Sequence, residues 1–276
     1  MSVVVIDNQM VHYEAIGRGT PVVFLHGWLG SWRYWFPSME KVSNHFRCYS
    51  FDFWGFGDSR NGHTVESVQA YSNQVIRFLD KLGIERAQLV GHSMGGMVAL
   101  KTAINHPKRI VRVAAVGAPI VGSSLSTLLK LTDYPIIARL FASTDWFRRF
   151  MFRRFLSIQD DPGIREILDD SVKSSSTTIH RAVSSMLRTD LRPELSRLDV
   201  PALIIHGGRD EIVHPNQADL FGDVHNAQVV LMPECHHFPF LEDADLFNDV
   251  LLRFLRQENQ RPFPQPASLT QPATVG

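Results

Sequence analysis

Cysteine is scarce in this chain of 276 residues; there are two, Cys48 and Cys235. They lack zinc or redox spacing, and two cysteines build no disulfide framework, so a reducing compartment is expected. An excess of either charge is also missing, because 28 Lys plus Arg balance 28 Asp plus Glu. Without a basic surplus there is no electrostatic footprint for nucleic acid. No run reaches the roughly 18 apolar residues of a membrane span. The opening Met1-Ser2-Val3-Val4-Val5-Ile6-Asp7 has no basic region leading into a long apolar stretch. These absences predict a soluble, cytoplasmic protein with neither nucleic-acid partner nor membrane contact, and they leave its oligomeric state open. What is present is a 44% hydrophobic content, ordinary for a globular core, on a chain long enough for one large α/β domain with an insertion.

Two short β-like runs, Val3–Ile6 and Val11–Ile16, flank Asp7-Asn8, a hairpin turn signal. Apolar strands follow at Pro21–Leu25, Arg47–Asp52, Ala87–Val90, Val111–Val116, Ala202–His206 and Gln228–Met232. Between them, Ser67 to Leu82 has one apolar stripe (Val68, Tyr71, Val75, Phe78, Leu79, Leu82), with Gly83 as a stop signal. Ala244 to Leu255 reads as a closing amphipathic helix. Strands alternating with helices predict an α/β fold, a mostly parallel sheet with helices on both faces. Right-handed crossovers then line up the strand C-terminal ends along one edge, where ligands bind. The alternation breaks at residues 122–198, which carry helical patterns and no strand, so an inserted helical cap is expected there. The core is then 1–121 and 199–260, and the Pro-containing residues 261–276 read as a disordered tail.

The densest chemical signal is Gly91-His92-Ser93-Met94-Gly95-Gly96. A serine on a tight strand-to-helix turn needs small neighbours, which Gly91 and Gly95 supply, and it projects its hydroxyl out of the sheet beside a helix N-terminus. A serine alone is a poor nucleophile, and it requires a base and a carboxylate that orients the base. The carboxylate candidate is Asp210, in Gly207-Gly208-Arg209-Asp210, at the end of a strand. The base candidates are the adjacent His236 and His237, after the last strand. No complementary Cys, His or carboxylate spacing accompanies that pair, so no metal is expected.

The order Ser93, Asp210, His237 resembles that of the α/β-hydrolases, and four further stretches extend the similarity from about Tyr13 to about Leu255. His26-Gly27 resembles the family's first oxyanion-hole loop, and Asp52-Phe53-Trp54-Gly55-Phe56-Gly57-Asp58-Ser59 its Asp-x-x-Gly-x-Gly-x-Ser loop. Gly207 to Asp210 resembles the acid turn, and His237-Phe238-Pro239 the histidine loop. The family usually has Gly before its catalytic histidine. Here that position is His236, and alignment of Phe238-Pro239 and Glu242 favours His237 as the base.

The resemblance implies a cap-bearing serine hydrolase with no cofactor. Ser93 would attack a carbonyl, His237 would take its proton, and Asp210 would hold the imidazole. The backbone N–H groups of Trp28 and Met94 would form the oxyanion hole. Asp52 is expected to stabilise its loop. Pocket-wall positions are expected at His26, Trp28, His92 and Phe238, and at Trp146 and Phe150 in the aromatic, arginine-paired cap segment 145–156. The expected substrate is a small to medium hydrophobic carboxylic ester. The same residues would also serve a perhydrolase of the cofactor-free haloperoxidase type or a carbon–carbon bond hydrolase, and a ligand-binding receptor can retain them.

Overall fold

The computed structural model describes residues 2–59, 66–144, 146 and 169–257. Eight strands form one sheet: β1 Ser2–Ile6, β2 Gln9–Gly17, β3 Pro21–Leu25, β4 Arg47–Phe51, β5 Ala87–His92, β6 Ile110–Val116, β7 Ala202–Gly207 and β8 Ala227–Met232. Their order across the sheet is β1-β2-β4-β3-β5-β6-β7-β8. β1 and β2 pair antiparallel, β2 is antiparallel to β4, and every later pairing is parallel. Asp7 and Asn8 both take positive φ, 51° and 61°, the hairpin geometry that joins β1 to β2.

The central strands are buried on both sides, which is why they read as unbroken apolar runs; all six residues of β5 and of β7 are buried. Alternate residues serve opposite layers. Val23, Leu25, Leu89 and Ile204 join one core cluster, and Val22, Phe24, Val90 and Ile205 join the other. The first layer is covered by α2 Val68–Lys81 and α3 Met94–Asn105. The second is covered by α1 Phe36–Val42 and by the C-terminal helix Ala244–Leu255. Ser67 caps α2, accepting from the Ala70 N–H at 3.1 Å.

The chain between β6 and β7 is helical among its described residues: α4 Thr127–Leu131, α5 Pro135–Ser143, α6 Ser176–Arg188 and a 3₁₀ turn at Arg192–Arg197. A β-bridge, Val121 to Asp190, joins the two ends of this segment. Two helices follow β8, α7 Pro239–Glu242 and α8 Ala244–Leu255. Of the expectations above, the tail 261–276 and the cap residues 147–156 lie outside the described residues. No described helix is long and apolar enough to cross a membrane.

Candidate active site

The parallel strands bring the loops after β3, β5, β6, β7 and β8 to one edge of the sheet. Ser93 follows β5 with φ 52° and ψ −116°, a left-handed backbone that a residue with a side chain rarely takes. Close approach on both sides holds it there. A Cβ at Gly91 would lie 2.2 Å from the Gly95 carbonyl oxygen, and one at Gly95 would lie 2.3 Å from that of Leu25. The Ser93 N–H donates to the Val116 carbonyl at 2.8 Å, tying the turn to β6. Ser93 is also the N-cap of α3, at the positive end of the helix, and Met94 opens the turn whose N–H groups lack intrahelical acceptors.

Asp210 and His237 are both buried and face each other. Asp210 Oδ2 accepts from His237 Nδ1 at 2.7 Å, while Oδ1 accepts from the N–H groups of Ile212 and Val213 at 2.8 and 2.9 Å. Burial alone would push the Asp210 carboxyl up. The neighbouring His237 and the three hydrogen bonds outweigh it and hold the group below the usual carboxylate range. His237 also sits against the end of β6, since a Cβ at Gly117 would be 3.3 Å from its Nδ1.

The adjacent histidine is engaged elsewhere. His236 Nδ1 lies 3.0 Å from Glu242 Oε2, which also accepts from the His236 N–H at 2.6 Å. Glu242 Oε1 accepts from the Phe238 N–H at 2.9 Å. One carboxylate thus grips both chain neighbours of His237 and leaves its ring to Asp210.

Four of the six positions expected in the pocket wall have side-chain partners of their own. His26 is fully buried, and the Phe53 N–H donates to its Nε2 at 2.9 Å. Its proton is therefore on Nδ1, which donates to the Gly27 carbonyl at 2.7 Å. That carbonyl shares a rigid peptide plane with the Trp28 N–H, so holding one aims the other. Burial drops the His26 pKa to about 4, keeping it neutral. His26 is thus a pin for the turn, because both ring nitrogens are consumed by backbone. His92 is likewise buried with both nitrogens engaged. Phe238 packs among the rings of Tyr34, His92, His237 and Phe240. Trp146 is 68% exposed, and Phe150 lies outside the described residues. The Trp28 side chain reaches the insertion: its Nε1–H donates to the Ile179 carbonyl at 3.3 Å, and its ring centroid is 5.7 Å from that of Phe141.

A second tie to the insertion is ionic. Arg33 lies 2.7 Å from Asp58 and 3.2 Å from Asp170, and Lys173 lies 2.8 Å from Asp58 and 2.6 Å from Asp170. The Ser31 hydroxyl donates to Asp170 as well. Burial opposes ionisation of Asp58, but its bonds to Lys173 and Arg33 win and lower its pKa to about 2. Asp52 accepts from the Trp32 and Asp58 N–H groups, each at 2.8 Å, so it braces the loop between them.

Residues 22–250 match the alpha/beta hydrolase family. The chain belongs to the alpha/beta hydrolase family. One relative is the pimeloyl-[acyl-carrier protein] methyl ester esterase of Nitrosospira multiformis, 27% identical over 270 residues, covering 89% of this chain and 98% of the relative. Another is the 2-hydroxy-6-oxo-6-phenylhexa-2,4-dienoate hydrolase of Comamonas testosteroni, 28% identical, with 91% of this chain and 93% of the relative covered. Among solved structures, an esterase from Exiguobacterium antarcticum superposes with a TM-score of 0.82 at 22% identity, covering 91% of this chain and 97% of that one. The names of the relatives support a hydrolase on this alpha/beta hydrolase fold.

Two residues at this alpha/beta hydrolase site escaped the sequence, Tyr34 and Asp170, and for Glu242 the pattern pointed to the residue without its clamp on His236 and Phe238. Tyr34 sits in the aromatic run Trp32-Arg33-Tyr34-Trp35, where nothing local separates it from its packed neighbours.

Proposed function

We propose that this chain is a serine hydrolase that cleaves a small to medium, hydrophobic carboxylic ester through an acyl-enzyme. The reading is carried by the buried Asp210–His237 pair, 2.7 Å apart, at the sheet edge where Ser93 is held in its left-handed turn. His237 takes the Ser93 proton as Oγ attacks the ester carbonyl. Ionised Asp210 fixes the ring and balances the imidazolium. The carbonyl oxygen, now an anion, accepts from the N–H groups of Trp28 and Met94. Collapse expels the alcohol, protonated by His237. Water deprotonated by the same ring then releases the acid. This chemistry calls for no metal or cofactor. The esterase relatives support the ester class, and the apolar side chains of the insertion, Leu129, Phe141 and Ile179 among them, support a hydrophobic acyl group. We read the insertion 122–198 as a cap over the site, and the two free, buried cysteines support a cytoplasmic setting.

The test is hydrolysis of p-nitrophenyl esters from acetate to decanoate by wild type and Ser93→Ala. Turnover with a chain-length optimum, lost in the variant, is expected. Turnover absent from both would refute the reading and favour a ligand-binding protein. A second reading, carbon–carbon bond hydrolysis by the same residues, draws on the similarity to the Comamonas testosteroni dienoate hydrolase. Rapid Ser93-dependent consumption of an oxo-dienoate with slow ester turnover would select it.

A further inference from the structure

A buried chain of side chains connects the turn that carries Trp28 to the loop that carries His237. The Gly27 N–H donates to the Tyr34 hydroxyl. That hydroxyl lies 3.2 Å from His92 Nδ1, and His92 Nε2 lies 2.9 Å from the His237 backbone oxygen. The two ends fix every proton in between. A carbonyl can only accept, so His92 carries its proton on Nε2 and donates it to His237. Nδ1 of the neutral ring is then an acceptor, so Tyr34 must donate to it. The same hydroxyl, its proton directed to His92, is free to accept from Gly27. The order is Gly27 N–H to Tyr34 O–H to His92 to the His237 carbonyl, running one way.

We infer that Tyr34 and His92 are positioning residues for catalysis, holding the oxyanion turn and the His237 loop in register through this one-way relay. The inference rests on the reading of Ser93, His237 and Trp28 given above. Three observations carry it. The relay is dry, with Tyr34 3% and His92 2% exposed. Its rings are locked: Tyr34 meets His92 edge-on at 5.6 Å, and His92 lies 4.7 Å from the His237 ring. Its neighbours leave it space that any side chain would fill. A Cβ at Gly27 would come within 2.9 Å of His92 Nδ1, and one at Gly30 within 2.3 Å of Tyr34 Cε1. Burial, and then the adjacent His237, keep the His92 pKa well below its ordinary value, while burial raises that of the Tyr34 phenol. The relay is therefore uncharged and does not compete with His237 for the serine proton. Packing alone would be content with Phe at position 34, whereas a relay needs the hydroxyl.

Three variants separate these possibilities. Tyr34→Phe removes the central link. His92→Gln keeps a donor where Nε2–H stands, and His92→Asn keeps only the acceptor that faces Tyr34. Each is compared with wild type and Ser93→Ala for kcat and KM on p-nitrophenyl acetate, for the rate at which a fluorophosphonate labels Ser93, and for Tm. Tyr34→Phe is expected to lower kcat and the labelling rate about tenfold to a hundredfold, the scale of a small misplacement of reacting groups, with KM within about twofold of wild type. His92→Gln is expected to retain more activity than His92→Asn. Wild-type rates in Tyr34→Phe, or equal losses in the two His92 variants, would overturn the relay. If Tyr34→Phe does not fold, the His92 pair decides alone, since both keep Tyr34. Full turnover by Ser93→Ala would overturn the serine reading itself; a dead Ser93→Ala beside a wild-type Tyr34→Phe overturns only the relay.

Discussion

The loops of the sheet edge and the helices between β6 and β7 are secured by different polar contacts. At the edge, His26, His92 and Asp210 are buried groups whose bonds run largely to backbone atoms. Beyond its apolar packing, the insertion is tied by charge, through Arg33, Asp58, Asp170 and Lys173, and by Trp28 and Glu66, which reach α6. Buried bonds to backbone are directional and little affected by salt, whereas ion pairs whose cations and Asp58 are part-exposed are less directional and partly screened. The contrast suits the division of labour in the proposed mechanism. In that mechanism chemistry needs fixed atoms at the edge, and the insertion, if it is the proposed cap, needs an attachment that yields without unfolding the core.

The largest effects should come from the edge. Ser93→Ala and Asp210→Asn are expected to lower kcat on p-nitrophenyl esters by about 10³-fold or more, as loss of a nucleophile or of the carboxylate orienting its base does elsewhere. Stability should barely change in Ser93→Ala, which separates chemistry from folding in a urea titration. Gly95→Val goes the other way. Its Cβ would meet the Leu25 and His26 carbonyl oxygens at 2.3 and 2.5 Å, so a loss of about 4 kcal/mol or outright misfolding is expected in the same titration.

Acid should act on the two regions in different windows. The pKa values of His26 and His206 are lowered by burial to about 4 each, from 6.5. The unfolded chain therefore binds two more protons between those values, and stability falls as pH drops from 6.5 to 4. Asp52 opposes this, since burial raises its pKa to about 7 and the folded state holds that proton first. Two losses against one gain leave about 3 kcal/mol net over the window, with His92 adding in the same direction. The ionic tie outlasts this window. Asp58, lowered to about 2, gives up its contribution only as pH falls from 3.8 through 2. Urea midpoints measured from pH 7 to pH 2 would test the order, and a flat profile between 6.5 and 4 would refute it.

The smallest change is expected at the insertion. Asp170→Asn removes one buried carboxylate from two cations that keep Asp58 as a partner. A loss of about 1–3 kcal/mol is expected, seen as faster hydrogen exchange in α6 while the strands stay protected. Raising salt should reproduce part of that change in wild type and little of it in the variant. Equal loosening of α6 and β5 would dissolve the distinction between the regions.

Much of the fold is legible because its strands are buried on both faces, which writes them as continuous apolar runs, and the closing helix is read at its observed bounds, Ala244–Leu255. β5 runs on to His92 past its apolar run, since ladder pairing to β6 carries Gly91 and His92 with it. Ser93, Asp210 and His237 stand out because each lies at a strand end within a local pattern. The hydrogen bonds of His26 and His92 do not, because the partners that turn His26 toward Phe53, or His92 toward Tyr34, come from distant segments. Tyr34 and Asp170 are invisible for the same reason, their roles being set by contacts across 58 and 137 residues.

The central claim is that Ser93 is the nucleophile of an acyl-transfer site. The most direct measurement is mass spectrometry of the intact and digested chain after reaction with a fluorophosphonate, for wild type and for Ser93→Ala. The account predicts one adduct, confined to the peptide bearing Ser93 and absent from the variant. An unlabelled wild type, or an adduct that persists in Ser93→Ala, would contradict it.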